Sequence, residues 1–145
     1  MLCRMAGTLN IRSERVDDIP VIIGVVKQLK MAEVVDRCIG THGLQQGLSN
    51  GWLTVGWLAY ILSQADHRKA AVREWAHDLP HTLGQLLGQP LREVECSDAR
   101  LGGGLRRLSD DAAWAAIEQA WWAATVAVYE LEVRGIRLDS TTSYG

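Results

Sequence analysis

The sequence predicts a mainly α-helical fold followed, near the end of the chain, by one β-strand. Apolar residues recur three and four positions apart through most of the chain, which is the spacing of one helix face. Ser, Asp, Gly and Pro, the residue types found at helix ends, separate these stretches. The pattern changes to alternation only over residues 133–141, which is typical of a strand. We therefore predict a helical domain over residues 1–130 and a separate element over residues 131–145.

The first two helices are predicted from the residues that begin them. Before them, residues 8–12 are predicted as a short extended arm. Asp17 or Asp18 can cap the first helix, and Pro20 is tolerated in its first turn. A second, short helix is predicted over residues 31–38.

The middle of the chain contains three predicted helices. Ser49 is a candidate cap for a helix that runs to about Gln64 and is apolar almost all round, which places it in the middle of the bundle. Shorter helices are predicted over residues 66–78 and 80–87. Ser97 can cap a further helix over residues 98–108, although three consecutive glycines at 102–104 put its continuity in doubt.

The last helix is predicted from a cap at Ser109 to about Tyr129. Its apolar residues repeat at spacings of three and four, and this stripe consists of Trp114, Ile117, Trp121, Ala124 and Val128. Trp122 lies beside the stripe and is interpreted as part of the core, with contact to a partner subunit as the alternative.

Composition and charge narrow the classes of function. With 145 residues, 48% of them apolar, the chain is long enough for a hydrophobic core. The three cysteines have unrelated spacings, and no secretion signal or membrane-length apolar stretch is present, so a cytoplasmic location without membrane contact is expected. The sequence contains no Gly-rich phosphate-binding loop, and no small-molecule substrate is expected. The net charge of −2 means that any contact with DNA must be local.

A short basic stretch is the candidate for that local contact. Arg68, Lys69 and Arg73 lie in and just before the helix predicted over residues 66–78. Together they form a candidate basic edge that would bind DNA phosphates. The alternative is an ordinary solvated face, since Glu74 and Asp78 dilute the positive charge.

The predicted strand delivers one carboxylate into a cluster of hydroxyl residues. Ile136 and Leu138 share one face, and Asp139 and Thr141 share the other. An Asp held on a strand is a suitable ligand for Mg²⁺ or Mn²⁺, but two-metal phosphodiester chemistry needs several such carboxylates. The alternative for Asp139 is a turn in which it hydrogen-bonds its own backbone.

Seven short blocks resemble the N-terminal region of bacterial insertion-sequence transposases of the DDE type, and the likeness extends over residues 8–145. The blocks, in order, are 15–20 (RVDDIP), 46–52 (QGLSNGW), 57–63 (WLAYILS), 66–69 (DHRK), 72–75 (VREW), 105–111 (LRRLSDD) and 138–142 (LDSTT). The resemblance implies that residues 131–145 are the first strand of an incomplete ribonuclease-H-like core.

The resemblance assigns catalysis to Asp139. In that family an Asp followed by Ser or Thr on the first core strand is the first member of the metal-binding Asp-Asp-Glu triad, which holds Mg²⁺ or Mn²⁺. The second Asp and the Glu lie far downstream in such enzymes, so this chain is expected to be truncated just after its first catalytic residue. By itself it is expected to bind no metal and to be inactive.

The partners implied by the resemblance are transposon-end DNA and further copies of the chain, which would form a homo-oligomer. Two other classes of function stay open from the residues alone. One is a helical protein–protein interaction module that does not bind DNA. The other is a helix-turn-helix regulator that would place residues 66–78 in a DNA groove.

Overall fold

A computed structural model describes residues 11, 13–40, 46–92 and 94–135 of the chain. Within these residues the protein is a bundle of helices, as the sequence predicts. In chain order they are α1 (Ile19–Gln28), α2 (Met31–Ile39), α3 (Asn50–Gln64), α4 (Lys69–Asp78), α5 (Pro80–Leu87), α6 (Asp98–Leu108) and α7 (Asp111–Val128).

Helix α3 is the centre of the bundle and packs against α1, α2, α4, α5 and α6. Its cap is the predicted one, because the hydroxyl of Ser49 accepts a hydrogen bond from the backbone N–H of Trp52 at 3.2 Å. Gly51 lets the first turn lie directly on α2, since a Cβ at this position would lie 2.0 Å from the carbonyl oxygen of Ala32. The predicted central position of this helix is confirmed.

Helices α1 and α2 begin close to their predicted positions. Pro20 lies in the first turn of α1, where its missing N–H costs nothing. Asp18 is the residue before the helix, but its side chain makes no capping hydrogen bond, so that detail of the prediction is wrong. Helix α2 extends one residue beyond the predicted range.

Helix α5 is capped from a distant part of the chain. The carboxylate of Glu14 accepts hydrogen bonds from the backbone N–H groups of His81 at 3.1 Å and Thr82 at 2.8 Å. Desolvation raises the pKa of Glu14, but these hydrogen bonds outweigh it and leave the pKa below its usual value. The chain just before α1 is thereby tied to the start of α5.

Helix α6 is continuous through its three glycines. Gly104 is buried, and a Cβ there would lie 3.9 Å from Cδ2 of Leu53 in α3. A Cβ at Gly102 would lie 3.2 Å from Nζ of Lys69 in α4. The tightest of these approaches is to the end of a flexible lysine side chain, so the packing of α6 does not require glycine at these positions.

Helix α7 differs from its prediction in two ways. Its cap is Asp110 rather than Ser109, because the Asp110 carboxylate accepts the backbone N–H of Ala113 at 2.8 Å. A carboxylate is favoured there by the helix dipole. Ile117 is the one fully buried residue of the helix, whereas Trp122 is 59% exposed. The interpretation of Trp122 as a core residue is therefore wrong.

The predicted strand falls largely outside the described residues. Residues 131–135 follow α7 in neither a helix nor a strand, and residues 136–145, which include Asp139, lie beyond the described part. The predicted arm over residues 8–12 also lies outside it, except for Ile11. Among the described residues, no helix has the length and apolar character needed to cross a membrane.

Candidate nucleic-acid interface

Helix α4 positions the predicted basic edge. The helix begins at Lys69, three residues later than predicted, so Arg68 immediately precedes it. Lys69, Arg73 and His77 follow one another at intervals of four residues and therefore lie on one face. The basic edge is thus partly a helix face and partly the turn before it.

Asp66 holds Arg68 at the start of the helix. Its carboxylate accepts the guanidinium of Arg68 at 2.9 Å, the backbone N–H of Arg68 at 2.8 Å and the hydroxyl of Tyr60 at 2.6 Å. Hydrogen bonds from Arg68 and Tyr60 keep the pKa of Asp66 well below its usual range. Burial, together with the hydrogen bond to Asp66, raises the pKa of Tyr60 to about 12. Arg68 remains 81% exposed, so it can still meet a ligand.

Lys69 connects two helices. Its Nζ lies 3.0 Å from a carboxylate oxygen of Asp98, the first residue of α6. Arg68 and Lys69 therefore each have a carboxylate partner within the protein. A phosphate that bound Arg68 or Lys69 would have to share that cation with its acidic neighbour.

Arg73 lines a cavity of about 240 Å³ with His77, also on α4, and Arg92, from the connection between α5 and α6. We call this cavity the basic cleft. Arg92 was not among the residues that sequence reasoning singled out. It lies nineteen positions beyond Arg73, and no local pattern shows that the two meet.

The arginine from the connection between α5 and α6 is paired with a buried carboxylate. Glu95 is 1% exposed and lies 2.7 Å from Nε of Arg92 and 3.4 Å from Nη2 of Arg100. A carboxylate removed from water is costly unless it is paired in this way. The same arginines donate to the backbone carbonyls of Gln46 and Leu48. The ion cluster therefore fixes the segment that leads into α3.

Gly47 completes this arrangement. A Cβ at Gly47 would lie 1.8 Å from Oε1 of Glu95, and the residue has a φ of +83°. Only glycine fits both the backbone conformation and the space. The glycine at position 47 of the block 46–52 is therefore explained by its contact with the buried carboxylate of Glu95.

An apolar groove of about 700 Å³ lies on the side of the bundle formed by α3, α6 and α7. We call it the tryptophan groove, because its lining includes Trp57, Trp114 and Trp121. Trp114 and Trp121 pack edge to face, with ring centroids 6.5 Å apart. The indole nitrogens of Trp57 and Trp121 are buried and have no hydrogen-bond partner among the described residues.

The candidate metal ligand Asp139 lies outside the described residues, so its surroundings are not part of this site. Within the described part of the chain, no three His, Cys, Asp or Glu side chains gather as a metal would require. His77 and Cys96 do line the same cavity, but two such groups are too few to form a metal site.

Comparison with known proteins yields no relative of this chain: no family model, no curated protein and no solved structure matches it. The likeness to transposases consequently rests on the seven sequence blocks, and both the metal role of Asp139 and the DNA contacts of the basic edge are proposals.

Proposed function

We propose that this chain is the N-terminal part of a DDE transposase and that its helical domain contacts transposon-end DNA through the basic edge. The seven sequence blocks support the family. The observation that carries the DNA contact is the spacing of Lys69, Arg73 and His77 along one face of α4, with Arg68 exposed next to it. Basic side chains in a row on one helix face suit a line of phosphates.

The charge of the whole chain fits a local contact of this kind. With a net charge of −2, the protein as a whole does not attract DNA. Binding would depend on a few direct contacts and would be lost readily at high salt. In this proposal Asp139 supplies one carboxylate of a Mg²⁺ or Mn²⁺ site, and the helical domain positions the DNA.

The test is DNA binding as a function of salt. Fluorescence anisotropy with a labelled duplex should give a log–log slope of about −0.9 for each phosphate contact. Arg68→Gln and Lys69→Gln should each make that slope less steep by about one contact.

Arg134→Gln is a matched control. Arg134 is 82% exposed and pairs with Glu132, two positions before it, just as Arg68 is 81% exposed and pairs with Asp66. It should leave the slope unchanged. No binding at low salt, or equal effects of Arg68→Gln and Arg134→Gln, would contradict a role for the basic edge.

A second candidate function is subunit assembly through α7, which the exposure of Trp122 favours. From Gln119 to Tyr129 the sequence contains no charged residue, so a second copy could approach this face without charge repulsion. Sedimentation equilibrium should then detect a dimer that Trp122→Ser weakens. A monomer at every concentration would exclude this function.

A further inference from the structure

The guanidinium of Arg68 is held along one of its edges. The carboxylate of Asp66 accepts the N–H of Nε at 3.1 Å and one N–H of Nη2 at 2.9 Å. A guanidinium has five N–H bonds, so three remain, and within the described part of the chain these three have no acceptor. Two of them lie side by side at the end of the planar group, and we call them the outer edge of Arg68. The side chain is 81% exposed, so a ligand can reach this edge.

The carboxylate that holds Arg68 is itself fixed in place. Asp66 also accepts the backbone N–H of Arg68 at 2.8 Å and the hydroxyl of Tyr60 at 2.6 Å. Tyr60 is 3% exposed in α3, and its ring packs edge to face on Trp75 of α4, with the ring centroids 5.3 Å apart. Because residues of both helices contribute to this support, the direction of the outer edge is set by packed side chains.

Arg68 lies in the short turn that joins α3 to α4. The turn consists of residues 65–68, and the two helices pack against each other. Two helices joined by so short a turn are the arrangement of helix-turn-helix proteins, in which the first residues of the second helix contact base edges. Ala70, the next exposed residue after Arg68, is small and leaves room for DNA to approach.

The surroundings of Arg68 favour a base over a phosphate as its ligand. Attraction to phosphate depends on net positive charge, and Asp66 compensates the charge of Arg68. Hydrogen bonding to a base edge depends on direction, which Asp66 fixes. Guanine presents two acceptors, O6 and N7, side by side in the major groove, and they match the two N–H bonds of the outer edge. Adenine presents a donor next to its acceptor, so one N–H of Arg68 would face another donor.

We infer that Arg68, positioned by Asp66 and Tyr60, binds a guanine in the major groove through two parallel hydrogen bonds. The inference rests on the proposed function, because it requires that the helical domain binds DNA. It adds one base that the chain recognises and the residue that recognises it. Lys69 then supplies a phosphate contact without sequence information. Arg68→Gln still removes a positive charge from the interface, so the change in salt slope expected above is the same.

The first experiment selects bound duplexes from a pool of randomised sequence with the whole chain and determines the base preference at each position. The native chain should prefer guanine at one position. Arg68→Gln should reduce that preference by about tenfold, because a bidentate contact to guanine is lost. Arg68→Lys should reduce it similarly, since lysine keeps the charge but lacks the planar group. Lys69→Gln is the matched control, and it should weaken binding to all sequences alike.

The second experiment identifies the atoms of the base. Replacing the preferred guanine by 7-deazaguanine removes the N7 acceptor, and this should weaken binding of the native chain by about tenfold. Arg68→Gln should bind both duplexes equally. Inosine keeps O6 and N7 and lacks only the amino group in the minor groove, so it is the matched control on the DNA and should bind the native chain like guanine.

The third experiment tests the positioning role of Asp66. Asp66→Asn adds one unit of positive charge to the protein, so an effect of charge alone would strengthen binding to every duplex. If Asp66 directs Arg68, the preference for guanine should instead fall by about threefold or more, while affinity for other sequences does not fall. Tyr60→Phe, which removes only the hydroxyl, should act in the same direction with a smaller effect. Tyr129→Phe, at the exposed end of α7, is its control.

The outcomes distinguish the failure of this inference from the failure of the proposed function. If the native chain binds duplexes at low salt without base preference, or if Arg68→Gln keeps the preference for guanine, the guanine contact is overturned and the DNA function stands. If no duplex binds at low salt, both are overturned. An unchanged preference in Asp66→Asn would overturn the positioning role of Asp66 and Tyr60.

Discussion

Helices α3 and α7 are alike in sequence but not in surroundings. Both are long, apolar and rich in tryptophan. Helix α3 buries six of its residues, whereas α7 buries Ile117 alone. The difference shows that the apolar content of a helix does not by itself say how deeply the helix is buried.

The packing partners explain the difference. Helix α3 has helices on several sides, because α1, α2, α4, α5 and α6 all pack against it. Helix α7 packs against α2 and α6 and leaves the face with Trp122 exposed. This exposed apolar face is the one that the proposed subunit assembly would cover.

The largest expected effect concerns the close approach of α3 to α2. Gly51→Ala should lower the free energy of unfolding by more than about 3 kcal/mol, because its methyl group would overlap the backbone of Ala32. Gly24→Ala is the matched control, since a Cβ there meets no atom within 4 Å and an alanine should stabilise α1 by about 0.5–1 kcal/mol. Urea unfolding measures both, and equal effects would mean that the approach of α3 is not tight.

The next effect compares the two helices directly. Leu53→Ala in α3 should cost about 3 kcal/mol, because it leaves a cavity in the core. Trp122→Ala in α7 should change the stability of the monomer by less than about 0.5 kcal/mol, although it removes a larger side chain. Chemical unfolding at low protein concentration tests the contrast. A large loss for Trp122→Ala would show that α7 is buried after all.

A smaller effect is expected in α6, which packs against both α3 and α7. A Cβ at Gly103 meets no atom within 4 Å, so Gly103→Ala should stabilise the helix by about 1 kcal/mol. Thermal unfolding should show a higher midpoint than that of the native chain. A lower midpoint would mean that α6 lies closer to its neighbours at this position than described.

The smallest expected effect depends on pH and concerns the end of α3, where Tyr60 donates to Asp66. Because the folded protein lowers the pKa of Asp66, its charge stabilises the fold above the unfolded pKa of about 3.9. That contribution is lost as the pH falls through the folded pKa. The difference in melting temperature between the native chain and Asp66→Asn should therefore shrink below about pH 4. An equal difference at pH 7 and pH 3 would exclude the charge as its cause.

Most helix boundaries could be predicted because the signals that set them are local. Ser49 caps α3, Pro20 lies in the first turn of α1, and α5 begins at Pro80, as the sequence indicates. The cap predicted for α7, Ser109, lies one residue before the observed cap. The carboxylate of Asp110 interacts more favourably with the helix dipole than a hydroxyl does.

The candidate site could be predicted only in part. Arg68, Lys69 and Arg73 were recognised because they lie close together in the sequence. The residues near them in space could not be predicted from the sequence. Asp98 contacts Lys69, and Arg92 lines the same cavity as Arg73, only once α4, α5 and α6 have packed together. The same packing brings Glu14 to the start of α5 from 67 positions away.

The sequence by itself determined which segments are helices, because caps and apolar periodicity act over one or two turns. Only the tertiary structure decided how little of α7 is buried, which cations are paired with carboxylates and which basic side chains line one cavity. The physical reason is that burial and charge pairing depend on neighbours in space, and those neighbours come from distant parts of the chain.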